Sequence, residues 1–328
     1  MVTIKEIAEM AQVSRSTVSR VLNDSGYVSE EAREKVEKVI EETGYVPSQY
    51  AKSLRTKKTK VIGVILPTIQ TETPSRIVTG LGKELEKHGY QILLANTNHN
   101  KEKELEYLDL LQVRQVDGIV LIATNTAPEL IKKIREIPIP VVMIGQEAED
   151  VMYVSYNDYD AARALTSLFI QKGHTKIGFI GVDESDKAVG ILRKQGYYDE
   201  MQANGLPVEK NWVQKAVFNI DSGYDAMKKI HTSASDLPTA VFAVTDRLAI
   251  GAMSYLKQEG LRIPDDVAVA GIGASEISQY IHPKLTTIDY QNEKAGEEAA
   301  KQLLSCIHSK KVKDKIILDY RLIEKDSV

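Results

Sequence analysis

Five side chains in residues 15–20 could form hydrogen bonds with the edges of DNA bases. They fall within one predicted helix and carry guanidinium or hydroxyl groups: Arg15, Ser16, Thr17, Ser19 and Arg20. Such groups can read sequence in the major groove, because each base pair presents its own pattern of donors and acceptors there. Val18 and Val21 take inward positions of the same helix. The segment therefore predicts a helix that reads double-stranded DNA.

Capping residues define the helices that must position this segment. Thr3 and Glu6 have the spacing of a capping box, which predicts a first helix from about residue 4 to residue 10. Ser14 is expected to cap the reading helix, and Ser29 to cap a third helix over residues 30–42. The short interval between the first two helices predicts a helix-turn-helix, and the acidic third helix is expected to brace it.

A basic stretch follows in residues 47–60, where five cations occur without an acidic residue: Lys52, Arg55, Lys57, Lys58 and Lys60. Such a stretch is either a solvated linker or a set of phosphate contacts. Residues 48–55 could form two helical turns, which are marginal alone in water. Leu54 then has two interpretations, a wedge in the minor groove or a side chain packed on the core.

The sequence changes character near residue 60, where apolar runs begin to alternate with amphipathic helices. The runs are residues 61–66, 91–96, 117–123, 139–145, 176–181, 240–245, 266–271 and 285–290. Continuous apolar runs indicate parallel strands buried on both faces. The fold class that we predict is an all-α helix-turn-helix head followed by an α/β core of two doubly wound lobes.

Polar residues near the ends of these strands are the candidates for a ligand site, because ligands bind beyond the carboxyl ends of parallel strands. They are Thr68, Gln70, Asn98, Gln146, Asp246 and Ser275. Hydroxyl, amide and carboxylate groups of this kind suit a sugar. For Asp246, an alternative role is to cap the helix that follows it.

Residues 3–23, 44–47 and 51–55 resemble the head and hinge of the LacI/GalR repressors. The resemblance continues through residues 116–120, 173–177, 245–252 and 283–288, and so covers nearly the whole chain. It implies a homodimer on operator DNA, a hinge helix whose Leu54 enters a central base step beside Arg55, and a core like the periplasmic sugar-binding proteins. It also implies that Arg193 anchors the effector. Gln12 departs from the family, which usually has Gly in this turn, and would be strained there if its φ is positive.

Two further departures from the family bear on the effector. Gln146 and Glu147 stand where members commonly have Asp-Arg, and Gly273 stands where Asp is frequent. Residues 182–197, 243–256 and 271–290 are more similar to trehalose and sucrose operon repressors than to ribose or purine ones. A disaccharide or its phosphate is therefore the first choice. The phosphate is left open, since Arg193 is the one arginine that the sequence places in the cleft.

We predict three regions: a DNA-binding domain at 1–46, a hinge helix and linker at 47–60, and an effector-binding and dimerisation core at 61–328. In the core, lobe 1 takes 61–157 and 287–314, and lobe 2 takes 158–286 and 315–328. Apolar residues make up 43% and charged residues 27%, as in folded soluble proteins. The absence of an apolar membrane span or signal-peptide core, and the single cysteine, favour a cytoplasmic protein.

Many enzymes and metal-binding proteins carry recognisable sequence motifs, and several of these are missing from this sequence. There is no Gly-x-Gly-x-x-Gly, phosphate loop, His-Glu-x-x-His or zinc spacing, so we expect no enzyme, no cofactor and no metal site. A non-regulatory sugar-binding protein would have no use for residues 3–23. A repressor that uses its effector as a corepressor is a further alternative.

We expect the Leu54→Ala variant to bind operator more weakly and bend it less, because a smaller side chain cannot hold a base step open. Effector affinity should not change. Fluorescence energy transfer between dyes at the two ends of the site measures the bend. An equal bend for parent and variant would contradict the wedge interpretation.

Overall fold

The computed structural model describes residues 2–45, 58–233, 236–310 and 314–328. The chain forms two compact units, Met1–Thr59 and Lys60–Val328. Most of the segment 47–60 lies outside the described residues. The hinge helix, together with Leu54 and Arg55, therefore stays a prediction.

Capped helices make up the described part of the first unit: α1 (Ile4–Met10), α2 (Arg15–Leu22) and α3 (Glu30–Thr43). The predicted caps are confirmed. Thr3 and Glu6 form the capping box, and the hydroxyls of Ser14 and Ser29 accept hydrogen bonds from first-turn amides of α2 and α3. Each cap satisfies backbone donors that a helix leaves without partners, so the starts of these helices are encoded locally.

The turn between α1 and α2 places the two helices across one another. Ile7 of α1, Val18 of α2 and Val36 of α3 are fully buried in the small core that they share. Gln12 has a φ of 53°, which confirms the positive angle that the sequence raised as a possibility. A side chain in this left-handed conformation costs about 1 kcal/mol, which the helix packing must offset.

The second unit is built on two sheets. Among the described residues, the first contains β1 (Val61–Leu66), β2 (Gln91–Asn96), β3 (Gly118–Ile122), β4 (Val141–Ile144), β5 (Met152–Tyr156) and β11 (Lys315–Leu318). The second contains β6 (Ile177–Gly181), β7 (Val213–Lys215), β8 (Ala240–Ala243), β9 (Ala268–Ile272), β10 (Thr286–Asp289) and β12 (Arg321–Ile323). Their orders are β11-β5-β4-β3-β1-β2 and β12-β10-β9-β8-β6-β7. Pairing of the described strands is parallel except between β10 and β12, which confirms the predicted doubly wound lobes.

Helices cover the faces of both sheets: α4 (Glu72–Glu86), α5 (Lys101–Val113), α6 (Pro128–Glu136), α7 (Asp158–Gln171), α8 (Arg193–Ala203), α9 (Ile220–Ser233), α10 (Asp246–Gln258) and α11 (Asn292–Ile307). The closest packing is between α4 and α11. A Cβ at Gly80 would lie 1.9 Å from the carbonyl oxygen of Glu293, so these helices meet backbone to backbone. Within the described ranges, no helix combines the length and the apolar character that crossing a membrane requires.

The chain crosses between the sheets three times: after β5, after β10 and after β11. The second and third crossings lie further along the chain than the predicted lobe boundaries at residues 287 and 315. Thr287 pairs with Gly271 in the second sheet, although residues 287–314 were assigned to lobe 1. Lys315 pairs with Tyr153 in the first sheet, although residues 315–328 were assigned to lobe 2. An apolar run shows that a strand is buried but not which sheet it joins, and the short strands β5, β7, β11 and β12 were not predicted.

We expect Gln12→Gly to stabilise the first unit by about 1 kcal/mol, because glycine adopts a positive φ without a clash between its Cβ and the backbone. Hydrogen exchange of the α1 and α2 amides in the full chain measures the effect. Glu34→Gly, at an exposed position inside α3, is the matched control and should destabilise by a similar amount. Faster exchange of these amides in Gln12→Gly than in the parent would contradict backbone strain at Gln12.

Candidate functional site

The reading helix α2 presents its polar residues unequally. Arg15, Ser16 and Arg20 are exposed, whereas Thr17 and Ser19 are half-buried. In the described part of the chain neither arginine forms an ion pair, so both guanidinium groups can be offered to a partner. They are the strongest candidates for contacts with base edges.

Two of the hydroxyl groups on α2 are already engaged at its start. The Ser14 hydroxyl lies 2.6 Å from the Ser16 hydroxyl and 2.9 Å from that of Thr17. At the other end, the Asn23 amide donates to the backbone oxygen of Ser19 at 2.6 Å. The hydroxyls of Ser16 and Thr17 therefore contact the capping residue of α2 and are not entirely free for a partner.

The second candidate site is a cavity of about 370 Å³ between the two lobes. Loops after β1, β3, β4, β6, β8 and β9 line it, together with the first turn of α4 and a π-helical turn, Lys187–Leu192, that leads into α8. Its position at the carboxyl ends of the strands is the one that the sequence predicted. Six predicted ligand residues line it: Thr68, Gln70, Gln146, Arg193, Asp246 and Ser275.

Asn98 is not among the residues that line the cavity. It is exposed, and its side-chain oxygen accepts a hydrogen bond from the Asn96 amide at 2.8 Å. Asn98 and His99 both have left-handed backbone, with φ of 53° and 61°. This turn of the chain brings His99 to the cavity in place of Asn98.

Arg193 lies in a buried network at the crossings between the lobes. Its Nε donates to the Asp158 carboxylate at 2.6 Å, and its Nη1 donates to the backbone oxygen of Val244. The hydroxyl of Tyr290, which follows β10, donates to the same carboxylate oxygen at 2.9 Å. Burial raises the pKa of Asp158, against the opposing effect of the Arg193 charge. Among the described residues, Nη2 of Arg193 makes no hydrogen bond and is available to a ligand.

Two stacked aromatic rings, those of Tyr156 and Tyr290, also connect the first two crossings. The rings of Tyr156 and Tyr290 stack with centroids 4.8 Å apart, and the Tyr156 hydroxyl donates to Asn292 at 2.8 Å. Burial raises the pKa of Tyr156 and of Tyr290 far above the usual range. Both phenols therefore stay neutral and act as hydrogen-bond donors.

Asp246 lines the cavity, but it does not cap the helix that follows it. Thr245 is the residue that caps α10, so Asp246 is not the cap. One Asp246 oxygen accepts hydrogen bonds from the Ser275 amide and hydroxyl, at 2.7 and 2.9 Å, and the other accepts one from Thr287. Its carboxylate is thus largely used to hold the loop after β9. At Gly273, where the family often has Asp, φ is 144° and a Cβ would lie 3.6 Å from this carboxylate, so a second acid would be both strained and repelled.

Single contacts join the lobes across the cavity. The Gln146 amide donates to Asp186 at 2.7 Å, and Glu72 accepts from the backbone amide of Glu276 at 2.7 Å. The rings of His99 and Phe218 stack with centroids 5.8 Å apart and an interplanar angle of 3°. Burial lowers the pKa of His99, which favours its neutral form in this stack.

Sequence reasoning missed several cavity residues that do not follow a predicted strand. Asp158 follows β5 and Phe218 follows β7, and neither strand was predicted. Tyr290 was treated as the end of a run and not as a ligand-facing residue. A search for polar and aromatic residues at every change of lobe would have found Asp158 and Tyr290.

Profiles of known protein families match parts of both units. Residues 3–48 match the profile of the bacterial regulatory proteins of the lacI family, and residues 166–328 match a periplasmic binding protein-like domain. The HTH-type transcriptional repressor PurR of Histophilus somni (strain 129Pt) is 33% identical over 98% of this chain and 96% of its own. The chain belongs to the LacI family. It is a DNA-binding transcriptional repressor, not an enzyme.

Other relatives share the same full-length organisation. The NTD biosynthesis operon regulator NtdR of Bacillus subtilis (strain 168) is 32% identical over 94% of this chain and 93% of its own. A lac repressor dimer bound to operator and the anti-inducer ONPF has a TM-score of 0.90 at 25% identity, covering 99% of this chain and 98% of that one. A CelR–cellobiose complex has a TM-score of 0.76 at 29% identity, with full coverage of both chains.

We expect Arg20→Ala to weaken DNA binding by about 1 to 3 kcal/mol and to relax the preference at one base pair of each half-site. The measurement is a titration with duplexes that the parent protein selects from a randomised pool. Lys38→Ala, which removes an exposed cation from α3, is the control for net charge. If both variants lose affinity equally and keep the same sequence preference, Arg20 does not read bases.

Proposed function

We propose that this repressor controls a carbohydrate-utilisation operon and leaves its operator when a neutral disaccharide, such as sucrose or trehalose, binds between its lobes. The observation that carries the proposal is the interlobe cavity built around a buried Arg193 that keeps Nη2 available. Its volume of about 370 Å³ lies within the range of small-molecule sites, roughly 300 to 1,000 Å³.

Side chains around the cavity suit hydroxyl groups on a ligand. Six of the lining residues carry aliphatic hydroxyls: Thr68, Thr71, Thr73, Thr124, Thr245 and Ser275. Hydroxyls both donate and accept, as the hydroxyls of a sugar do. The CelR structure, a relative of the same fold, is a cellobiose complex, which supports a disaccharide as the class of effector.

Charge favours a neutral effector over a sugar phosphate. Two guanidinium groups, Arg193 and Arg247, line the cavity together with four carboxyl groups: Glu72, Asp158, Asp186 and Asp246. Burial raises the pKa of Asp158, Asp186 and Asp246, which means that ionising these carboxyl groups in the cavity costs free energy. A further negative charge on the ligand would add to that cost. A phosphate normally collects arginines without competing carboxylates.

A purine base is the second candidate effector. The parallel stack of His99 and Phe218 offers a flat aromatic surface at the cavity, and several relatives are named PurR. Thermal-shift measurements with sucrose, trehalose, cellobiose, the 6-phosphates of sucrose and trehalose, hypoxanthine and guanine separate these classes, because binding to the native state raises the melting temperature.

The DNA-bound form is a homodimer on a two-fold symmetric operator. The lac repressor that shares this fold over the whole chain is a dimer bound to operator. Each head then places Arg15 and Arg20 in the major groove of one half-site, and symmetry of the dimer requires symmetry of the operator. Leu54 and Arg55 contact the centre of the operator in this arrangement.

Effector binding releases the operator because the lobes hold the sugar better in the released arrangement than in the DNA-bound one. By linkage, operator DNA must weaken sugar binding by the same factor, typically about 1 to 3 kcal/mol. An effector that tightens operator binding would instead identify a corepressor. An operator titration with and without the sugar determines the sign.

We expect a variant without Arg193 to bind operator but no longer release it when sugar is added. Arg193→Ala would leave the buried Asp158 without its ion-pair partner, which costs about 3 to 5 kcal/mol. The double variant Arg193→Gln/Asp158→Asn removes both charges and is the sharper test, with Arg114→Gln, at an exposed position just after α5, as the control. Operator release by the double variant at the parent's sugar concentration would show that Arg193 does not anchor the effector.

A further inference from the structure

Arg247 joins the two lobes at the edge of the cavity. It is the second residue of α10 in the second lobe, and its Nη1 donates to the backbone oxygen of Gln70 in the first lobe at 3.2 Å. It also lines the cavity. The sequence did not single this residue out as a ligand contact.

The Nε of Arg247 is buried and has no hydrogen-bond acceptor among the described residues. This is unusual, because more than about 90% of buried polar groups in proteins have a partner. A guanidinium N–H without an acceptor destabilises the ligand-free protein, since it has lost water and gained nothing in exchange. Such a donor calls for an acceptor that enters from the cavity.

Neighbouring carboxylates do not supply that acceptor. Both oxygens of Asp246 are engaged by Ser275 and Thr287, and Glu72 accepts from the backbone amide of Glu276. Within the described ranges, Arg247 forms no ion pair. The Nε of Arg247 is therefore a donor that a molecule in the cavity can engage.

We propose that Arg247 is an effector-binding residue whose Nε donates to an oxygen of a polyhydroxylated ligand, while its Nη1 keeps hold of the Gln70 carbonyl. The proposal rests on the proposed function, in which the ligand lies between the lobes. A ligand that engages Nε holds the plane of the guanidinium and so strengthens the link to Gln70. Binding and lobe closure are then coupled through one rigid side chain, which a flexible lysine could not replace.

The experiment compares Arg247→Met and Arg247→Lys with the parent in the full chain. Arg114→Met, at an exposed position just after α5, is the matched control. The melting temperature is measured without ligand, and dissociation constants are measured by calorimetry for sucrose, trehalose and cellobiose. We expect Arg247→Met to melt close to the parent temperature, because removing the unpaired Nε donor offsets the loss of the Nη1 hydrogen bond to the Gln70 carbonyl.

For the sugar that binds the parent, both Arg247 variants should bind about tenfold more weakly or worse, whereas Arg114→Met should bind as the parent does. A ligand-free melting temperature several degrees lower in Arg247→Met, with unchanged sugar affinity, would overturn the proposal and make Arg247 a structural link only. If no sugar binds the parent, the proposed function fails. The ligand-free comparison still tests this inference, since a fall of several degrees in Arg247→Met contradicts it and a melting temperature near that of the parent supports it.

Discussion

The ion pair between Asp158 and Arg193 is the interaction on which the second unit depends. Both groups are almost fully buried, and either one alone would be strongly destabilising, because a buried charge without its partner has lost its water. Asp158 follows the first crossing between the lobes, and Tyr290, which follows the second, donates to the same carboxylate. The Asp158 carboxylate thus holds Arg193 in the cavity wall and also links two of the three crossings between the lobes.

This arrangement explains how a small ligand could change the angle between two large lobes. Two of the polar contacts across the cavity, Gln146 with Asp186 and Arg247 with the Gln70 carbonyl, each join their pair through one hydrogen bond. Each contributes on the order of 1 kcal/mol, so a ligand that adds a few more can shift the balance between arrangements. Because Arg193 belongs to the network at the crossings, a ligand bound to it would also contact the residues at which the chain passes between the lobes.

Hydrogen-bond satisfaction separates the structural polar residues of the cavity from those that can serve a ligand. Asp246 is close to the ligand volume, yet its oxygens are used by Ser275 and Thr287. Arg247 is the opposite case, with a buried donor that has no acceptor among the described residues. Buried polar groups without partners are rare in folded proteins, so they are a better guide to ligand contacts than proximity alone.

Local features of this protein could be read from its sequence because their causes lie within a few residues. Caps such as Thr3 and Ser14 act on amides three residues away, and buried parallel strands show as continuous apolar runs. The helix-turn-helix, the two-lobed core and the place of the interlobe cavity all followed from such signals. Only the tertiary structure decided which sheet each late strand joins, and that Asn98 lies outside the cavity while Tyr290 and Arg247 line it. Strand pairing and the convergence of loops depend on contacts between residues far apart in the chain, which no local pattern records.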